Sequence, residues 1–509
     1  MITLKSVIIK STGAVFIFLT LLGIAARSMY LQSSVDTYLH TTVYCPVGYV
    51  FVGVTLMVLF LYRKRLWLYL QRVCNRGDAI CGKHSIGTLC LTLGVMALVV
   101  KCFIIFILKI DSTLSSDTLT YIRSSYELVQ TGNVTTFADY CYGFSHQFWF
   151  AVFLTPATFL FGESPLYLSL YLAIVSTITT ILLGLTLGHI STKLSAVVFL
   201  ILMMLPSQLL LPCYITHEHA FLFFISVAVF LKWYVLPMCT TKLFRVCMEF
   251  SVICLLVSSS MVNATGLVAI CAYILLCILN LSDRGSYYSI IRIICILVVY
   301  ALCTSFCKSF QLSHSNLTKN YRDPNKVCWT LYEGSNYETK GSWSKSDRDT
   351  YYFTYPKGTE QITLDEFHMT LLQNRYKELL SSPSQIVQIL RAKIIRMWGC
   401  FDYPFPFVSL WGTSEFAKSP ILYAILKVVP IVESFVFLIL LALLLIYQRV
   451  LDKRHSLFFF VVWFLAGVTI LLAMTECNNK YTIALQVFLA FTISHHLITR
   501  PSSQDVLVG

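Results

Sequence analysis

Long apolar blocks separated by short polar breaks run along almost the whole chain. About twelve stretches come near the roughly 20 apolar residues that a helix needs to cross a bilayer core. They lie near 12–31, 44–62, 86–109, 165–188, 193–213, 219–235, 247–262, 265–281, 288–309, 419–448, 456–474 and 479–498. The division at 262/265 is the least marked, because both blocks are short and Asn263-Ala264-Thr265 is a poor turn. The first block lacks a small-residue cleavage site and another apolar block follows it, so it reads as a span rather than a signal peptide. This pattern predicts an all-α polytopic membrane protein.

Lys and Arg orient the blocks. Arg63-Lys64-Arg65, Arg72, Arg76 and Lys83 crowd one connection, and Lys232, Lys242 and Arg245 mark a second. Arg284 and Arg292 mark a third, and Arg449, Lys453 and Arg454 a fourth. Basic loops stay in the cytoplasm, so both termini are expected inside, while 110–164, 214–218, 310–418 and 475–478 are expected outside. The run His146–Gly162 is long enough to span, but counting it would throw every later basic loop outside. It is therefore expected to lie in the outer interface, with Pro156 in its middle.

Composition narrows the class. Of 509 residues, 57% are hydrophobic and 12% charged, about half the charged fraction of a soluble domain. That excludes a disordered chain, a collagen-like fibre and a soluble enzyme with one aqueous core. The net charge of +13 is accounted for by cytoplasmic loops, so no nucleic-acid partner is expected. Most of the 18 Cys sit in apolar blocks and no C-x-x-C pair occurs, so neither a zinc site nor a redox motif is indicated. Cys141, Cys328, Cys400 and Cys477 are expected outside, either bridged or as free thiols. Asn133-Val-Thr and Asn316-Leu-Thr are sequons on the same side.

Polar residues inside or at the rim of the membrane carry the candidate chemistry. The first outer loop opens with Asp111 and continues Ser116-Asp117-Thr-Leu-Thr-Tyr121. A helix is expected from there to Thr131-Gly132, capped by Ser116, with Asp117 in its first turn. Asp117 is either a helix-start residue favoured by the dipole or a general base at the membrane surface. The next outer turn, His217-Glu218-His219, caps two apolar helices. It is an interfacial turn or an ionisable site, and two imidazoles two residues apart are weak evidence for a metal. Before the last block stand Glu476, Lys480 and Tyr481, where Lys480 could neutralise a phosphate or merely anchor the helix with Tyr481. Arg391, Lys393 and Arg396 precede Trp398 at the return to the membrane. They could face a phosphate or form a solvated helix face. Lys101, deep in the third block, is expected to snorkel.

In this order the residues resemble the GT-C glycosyltransferases, nearest the branch of the protein O-mannosyltransferases and the bacterial aminoarabinose transferase. The resemblance rests on Asp117–Tyr121 through Gly132, Phe161-Gly162 before a span, Glu218, the Glu476/Lys480/Tyr481 element, and the segment Glu333–Asp347 with Gly334-Ser335-Asn336 and Gly341-Ser342-Trp343. It covers most of 85–500. Ser116-Asp117, Asn263-Ala264 and Lys480-Tyr481 stand where the family often has Asp-Glu, Arg-Pro and Arg-Tyr. The resemblance implies a GT-C fold of about 12 transmembrane helices, with in-plane juxtamembrane helices and a small extracytoplasmic region. It divides the chain into a two-span extension with its basic loop (1–84), a core module (85–309), an extracytoplasmic region (310–418) and C-terminal spans (419–509).

It further implies an inverting glycosyl transfer from a polyprenyl-phosphate sugar to a glycan, lipid or protein of the cell envelope, within membrane lipid. Asp117 would act on the acceptor hydroxyl and Glu218 would be the second acid. Arg391, Lys393, Arg396, Lys480 and Tyr481 would face the donor phosphate. Asp111, Tyr121, His217, His219, Asn336 and Glu476 are further site candidates. No cofactor follows from the residues, and a divalent cation is left open because families of this fold differ on it. A bacterial plasma membrane with the site outside is the expected location, and the endoplasmic reticulum the alternative. A polytopic transporter or lipid-linked-sugar flippase is the competing class. It would show a repeat or broken helices in matching halves, and no repeat is evident.

Overall fold

The computed structural model describes residues 2–38, 47–110, 116–282, 286–318, 325–353, 361–399, 412–446, 456–477 and 479–498. Among these residues every regular element is a helix, and two isolated backbone bridges tie Ile110 to Gly412 and Val134 to Ser315. The chain opens with α1 (Ile2–Tyr38), α2 (Val47–Leu61), α3 (Arg63–Gly82) and α4 (Ile86–Leu108). The first loop holds α5 (Ser116–Thr131), α6 (Ala138–Gly143) and α7 (Ser145–Phe161). Next come α8 (Pro165–Ile190), α9 (Lys193–Leu202), α10 (Pro206–Leu210), α11 (Glu218–Phe230), α12 (Lys242–Val262), α13 (Thr265–Leu279) and α14 (Ser286–Ser313). Beyond them lie α15 (Lys326–Gly334), α16 (Lys345–Phe353), α17 (Gln361–Ser381), α18 (Pro383–Ile394), α19 (Pro420–Ile446), α20 (Ser456–Met474) and α21 (Ile483–Ile498).

Among the described residues eight helices are long and apolar enough to cross a membrane: α1, α4, α8, α11 with its extension to Met238, α12, α14, α19 and α20. The block at 193–213 is broken instead. α9 and the segment from Pro206 to Cys213 meet at 66° and pass as a ninth span only if taken together. The cause is local. Leu205, pushed into extended backbone by the following proline, has φ −63° and ψ 149°, and Pro206 then starts a new helix. The remaining three blocks form α2, α13 and α21, of 15, 15 and 16 residues. At about 1.5 Å per residue such helices fall short of a hydrocarbon core of about 30 Å.

Close helix approach is set by small residues. A Cβ on Gly94 of α4 would meet Ile181 of α8 at 2.4 Å, and one on Gly188 of α8 would meet Ile86 of α4 at 2.4 Å. The two backbones can therefore pack directly, as small residues allow between membrane helices. α8 also packs on α11, α11 on α12, α13 on α20 and α1 on α19. By contrast, only 6% of the apolar window of α14 is buried, which leaves its apolar surface for lipid.

The first loop folds much as its pattern suggested. α5 ends at Gly132, whose φ of +76° stops it. α7 contains Pro156, ends at Gly162 (φ +66°) and packs mainly on α5, with Phe148, Phe150, Ala151 and Leu154 inside. At the other end of the bundle, Glu249 of α12 accepts from Lys232 (2.6 Å), Arg292 of α14 (2.8 Å) and the Tyr273 hydroxyl of α13 (3.0 Å). One carboxylate thus joins two of the basic connections.

Candidate functional site

α5 lies across the turn before α11, with the Thr118 hydroxyl donating to the Ile215 carbonyl at 3.4 Å. Asp117, in the first turn of α5, is half-buried and accepts from the Tyr140 hydroxyl of α6 at 3.0 Å. One turn further on, the buried Tyr121 hydroxyl is 2.9 Å from His217 Nδ1. The Nε2 of the same ring lies 3.5 Å from Glu218 Oε1. Glu218 is 1% exposed, and the Asn263 side-chain amide donates to its Oε1 at 2.7 Å. A continuous polar path therefore runs Tyr121–His217–Glu218–Asn263, with Asp117 one turn away from its start. The His146 ring flanks His217 at 4.8 Å.

Asn263 resolves the weak point at 262/265. Its Oδ1 accepts from the Thr265 backbone N–H (2.9 Å) and hydroxyl (2.7 Å), while its Nδ2 reaches Glu218. Asn263, one residue before the cap position Ala264, thus fastens the start of α13 and holds a buried acid. Asp117, Tyr121, His217 and Glu218 are thus brought together. His219 turns away, with Nε2 against the Leu211 and Tyr214 carbonyls at 3.3 and 3.2 Å. Among the described residues no three His, Cys, Asp or Glu are grouped to hold a metal ion. Asp111 lies outside the described residues.

A second polar cluster forms where α15 meets the end of α20. Gly334 packs so tightly there that a Cβ would meet the Thr475 carbonyl carbon at 2.3 Å. The backbone N–H of Glu476 donates to the Thr330 carbonyl (3.1 Å), and that of Cys477 to the Gly341 carbonyl (2.9 Å). The 333–347 segment and the Glu476 element are therefore one structure. Burial, and then the neighbouring Glu476 carboxylate with which it shares a hydrogen bond, push the Glu333 carboxyl up to about 9. Tyr481 donates to Glu476 Oε2 at 3.4 Å. Asn336 donates to Asp347 Oδ2 at 2.6 Å, and Asp347 also receives Arg375 at 2.9 Å.

The three basic candidates of α18 and its continuation separate. Arg391 is exposed. Lys393 is buried and donates to the Ala473 (3.0 Å) and Thr475 (2.6 Å) carbonyls, which caps α20. Burial lowers its ammonium to about 8. Arg396 donates to the Lys340 (2.7 Å) and Thr339 (3.0 Å) carbonyls. Lys480 lies in the short turn Asn479–Thr482 before α21, and its side chain is outside the described residues, as is Cys400. Cys141, Cys328 and Cys477 are buried free thiols. A run of aromatic rings links α6 to α16: Tyr140 meets Phe144 at 5.0 Å, and Phe144 meets Tyr352 at 6.4 Å.

Polar groups also occur within the spans. Lys101 does not snorkel but turns inward, with Nζ 2.8 Å from Ser176 Oγ and 3.4 Å from Thr177 Oγ1 of α8. It borders a cavity of about 20 Å³, room for little more than one water, together with Thr180, Gln208 and His219. Glu433 of α19 accepts from the Ser207 backbone N–H at 2.9 Å, and Gln486 of α21 bridges Ser207 and Gln208, each at 2.7 Å. The break before Pro206 is thus closed by side chains of α19 and α21. Sequence reasoning passed over Asn263, Tyr140 and Glu333 as site residues. The signal for Asn263 was present, as a polar residue between two apolar runs.

Fold and site together define a multi-pass, all-helical membrane protein with buried acids at one end of the bundle. No family model matches the chain. No curated protein sequence matches it. Among solved structures, that of ArnT from Cupriavidus metallidurans in the apo state is similar at a TM-score of 0.32 and 12% identity, over 80% of this chain and 78% of that one. A likeness of this size leaves the family of the chain unassigned.

Proposed function

We propose that the protein is an integral-membrane glycosyltransferase that moves a sugar from a polyprenyl-phosphate donor to a cell-envelope glycan, lipid or protein on the extracytoplasmic face. The observation that carries this reading is the gathering of two acids far apart in sequence. Asp117 on α5 sits one turn from Tyr121, which bonds His217 beside Glu218. Asp117 is the more accessible of the two acids and is oriented by Tyr140, as a base for an acceptor hydroxyl must be. Glu218 is buried and held by Asn263, which suits a positioning role behind the first acid.

Inversion would follow from a single displacement at the anomeric carbon. The hydroxyl oxygen forms the new bond, its proton passes to Asp117, and the polyprenyl phosphate leaves with the electron pair of the broken C–O bond. Arg391, exposed on α18, and Lys480 are the cations assigned to the leaving phosphate, and Tyr481 is assigned to the same group. Lys393 and Arg396 instead hold the carbonyls on which that region is built. Asn336 and Glu476 are assigned to the second polar cluster, where α15 meets the end of α20. The site faces outward in a bacterial plasma membrane, or the lumen in an endoplasmic reticulum membrane.

The test is donor turnover in liposomes containing the purified chain, a panel of polyprenyl-phosphate sugars and an envelope extract. Release of polyprenyl phosphate that disappears in Asp117→Asn supports the reading and names the sugar. Equal release from both proteins removes Asp117 as the base. A lipid-linked-sugar flippase is the second reading. The break at Pro206, with Lys101, Gln208 and Glu433 buried around it, favours that reading. It predicts donor movement between leaflets without release.

A further inference from the structure

Helix α3 has three distinct faces. Leu66, Leu70, Cys74, Gly77 and Cys81 follow one another at helical spacing and turn toward the protein. A Cβ on Gly77 would meet Leu194 of α9 at 2.8 Å, so this is the packed face. Beside it runs an exposed apolar stripe, Tyr69, Val73 and Ile80, exposed by 63%, 46% and 65%. Next to that runs a stripe of exposed guanidiniums, Arg65, Arg72 and Arg76. The helix carries five basic residues and one acid, Asp78.

The depth of α3 follows from its neighbours. α8 leaves the end of the bundle that holds α5 and α7, and runs 26 residues to Ile190. Lys193, just beyond, donates to the Gly82 and His84 carbonyls at 3.3 and 2.7 Å. The C-terminal end of α3 is therefore fixed at the opposite end of the bundle from Asp117. Its N-terminal end continues directly from the apolar helix α2.

In water the Tyr69–Val73–Ile80 stripe would be an exposed apolar seam, and within hydrocarbon the three guanidiniums would be unpaired. A phospholipid headgroup layer satisfies both at once. The apolar seam meets the acyl boundary, and each guanidinium meets phosphate at the charged edge. Guanidinium geometry matches phosphate oxygens in pairs. We propose that α3 is an anionic-phospholipid-binding helix that lies in the headgroup layer of the leaflet opposite the candidate site.

The full chain in nanodiscs of phosphatidylcholine, with or without about one third phosphatidylglycerol, tests this. The unfolding midpoint should rise in the anionic discs, and added salt should remove the gain. Arg65→Gln/Arg72→Gln/Arg76→Gln should abolish it. Glycerol phosphate added to phosphatidylcholine discs should not restore it, which separates a lipid surface from free phosphate. Lipid retained through detergent extraction gives a second readout that also serves single substitutions. Wild-type protein should retain more phosphatidylglycerol than phosphatidylcholine, and Arg72→Gln alone should cut that enrichment by up to about fivefold. Equal midpoints in both discs, or unchanged enrichment in the Arg variants, would overturn the proposal and leave this face to a protein partner.

Discussion

The side-chain amide of Asn263 donates to Glu218 at 2.7 Å and ties the end of α12 to the start of α11. The Oδ1 of the same amide accepts from the Thr265 backbone N–H at the start of α13. Asn263→Leu should therefore remove two functions. Removing the amide donor from the buried Glu218, and the acceptor from the Thr265 N–H, costs about 1–3 kcal/mol. A lower unfolding midpoint in detergent is the expected result. Asn263→Asp should be worse than Asn263→Leu, because it sets a second acid against Glu218.

Tyr140 positions Asp117 without sharing the buried core, being 39% exposed. Tyr140→Phe removes only the hydroxyl. Turnover in the liposome assay should fall while the unfolding midpoint stays within about 0.5 kcal/mol of wild type. A matching fall in stability would show that the contact is structural.

Glu333 predicts a pH dependence of definite sign. Burial and the Glu476 carboxylate raise its carboxyl from 4.5 to about 9, so the folded state holds a proton that the unfolded chain has lost. The contribution is fully present below about 4.5 and declines as the pH rises toward about 9. Melting curves across that range should show stability falling with pH. Glu333→Gln, which keeps a neutral group of the same shape, should flatten the slope.

Glu249 neutralises Lys232 and Arg292 together. Glu249→Gln would leave two cations facing each other. The cost is set at roughly 2–4 kcal/mol, below that of a fully buried pair because the Arg292 side chain is 32% exposed. Arg292→Gln in the same background should recover part of it, as a double-mutant cycle would show.

Much of this fold was legible locally. The twelve apolar blocks all correspond to helices. The first-loop helix between Ser116 and Gly132 and the Pro156 helix fell within a residue of their expected limits. The order of Asp117, Glu218 and Glu476 along the chain marked both polar clusters. Three features were not legible. Asn263 read as a poor turn, Lys101 as a snorkelling residue, and Lys393 and Arg396 as phosphate-facing cations or a solvated helix face. Each depends on which neighbour a side chain turns toward, and that neighbour lies far off in sequence.

The sequence by itself determined that the chain is helical and apolar enough to cross a membrane many times. The cost of placing about 20 residues in hydrocarbon is a sum over neighbours in the chain, so composition alone sets it. A proline alone did not decide a break: Pro156 stays inside α7 and Pro430 inside α19, whereas the block at 193–213, which reads as one span, breaks before Pro206. Only the tertiary structure decided that Glu218 meets Asn263, that Glu333 meets Glu476, and that Lys101 faces Ser176. Those partners are 45, 143 and 75 positions apart along the printed sequence. The rotation of each helix about its own axis, fixed by how closely residues such as Gly94 and Gly188 let the backbones approach, chooses among the possible neighbours.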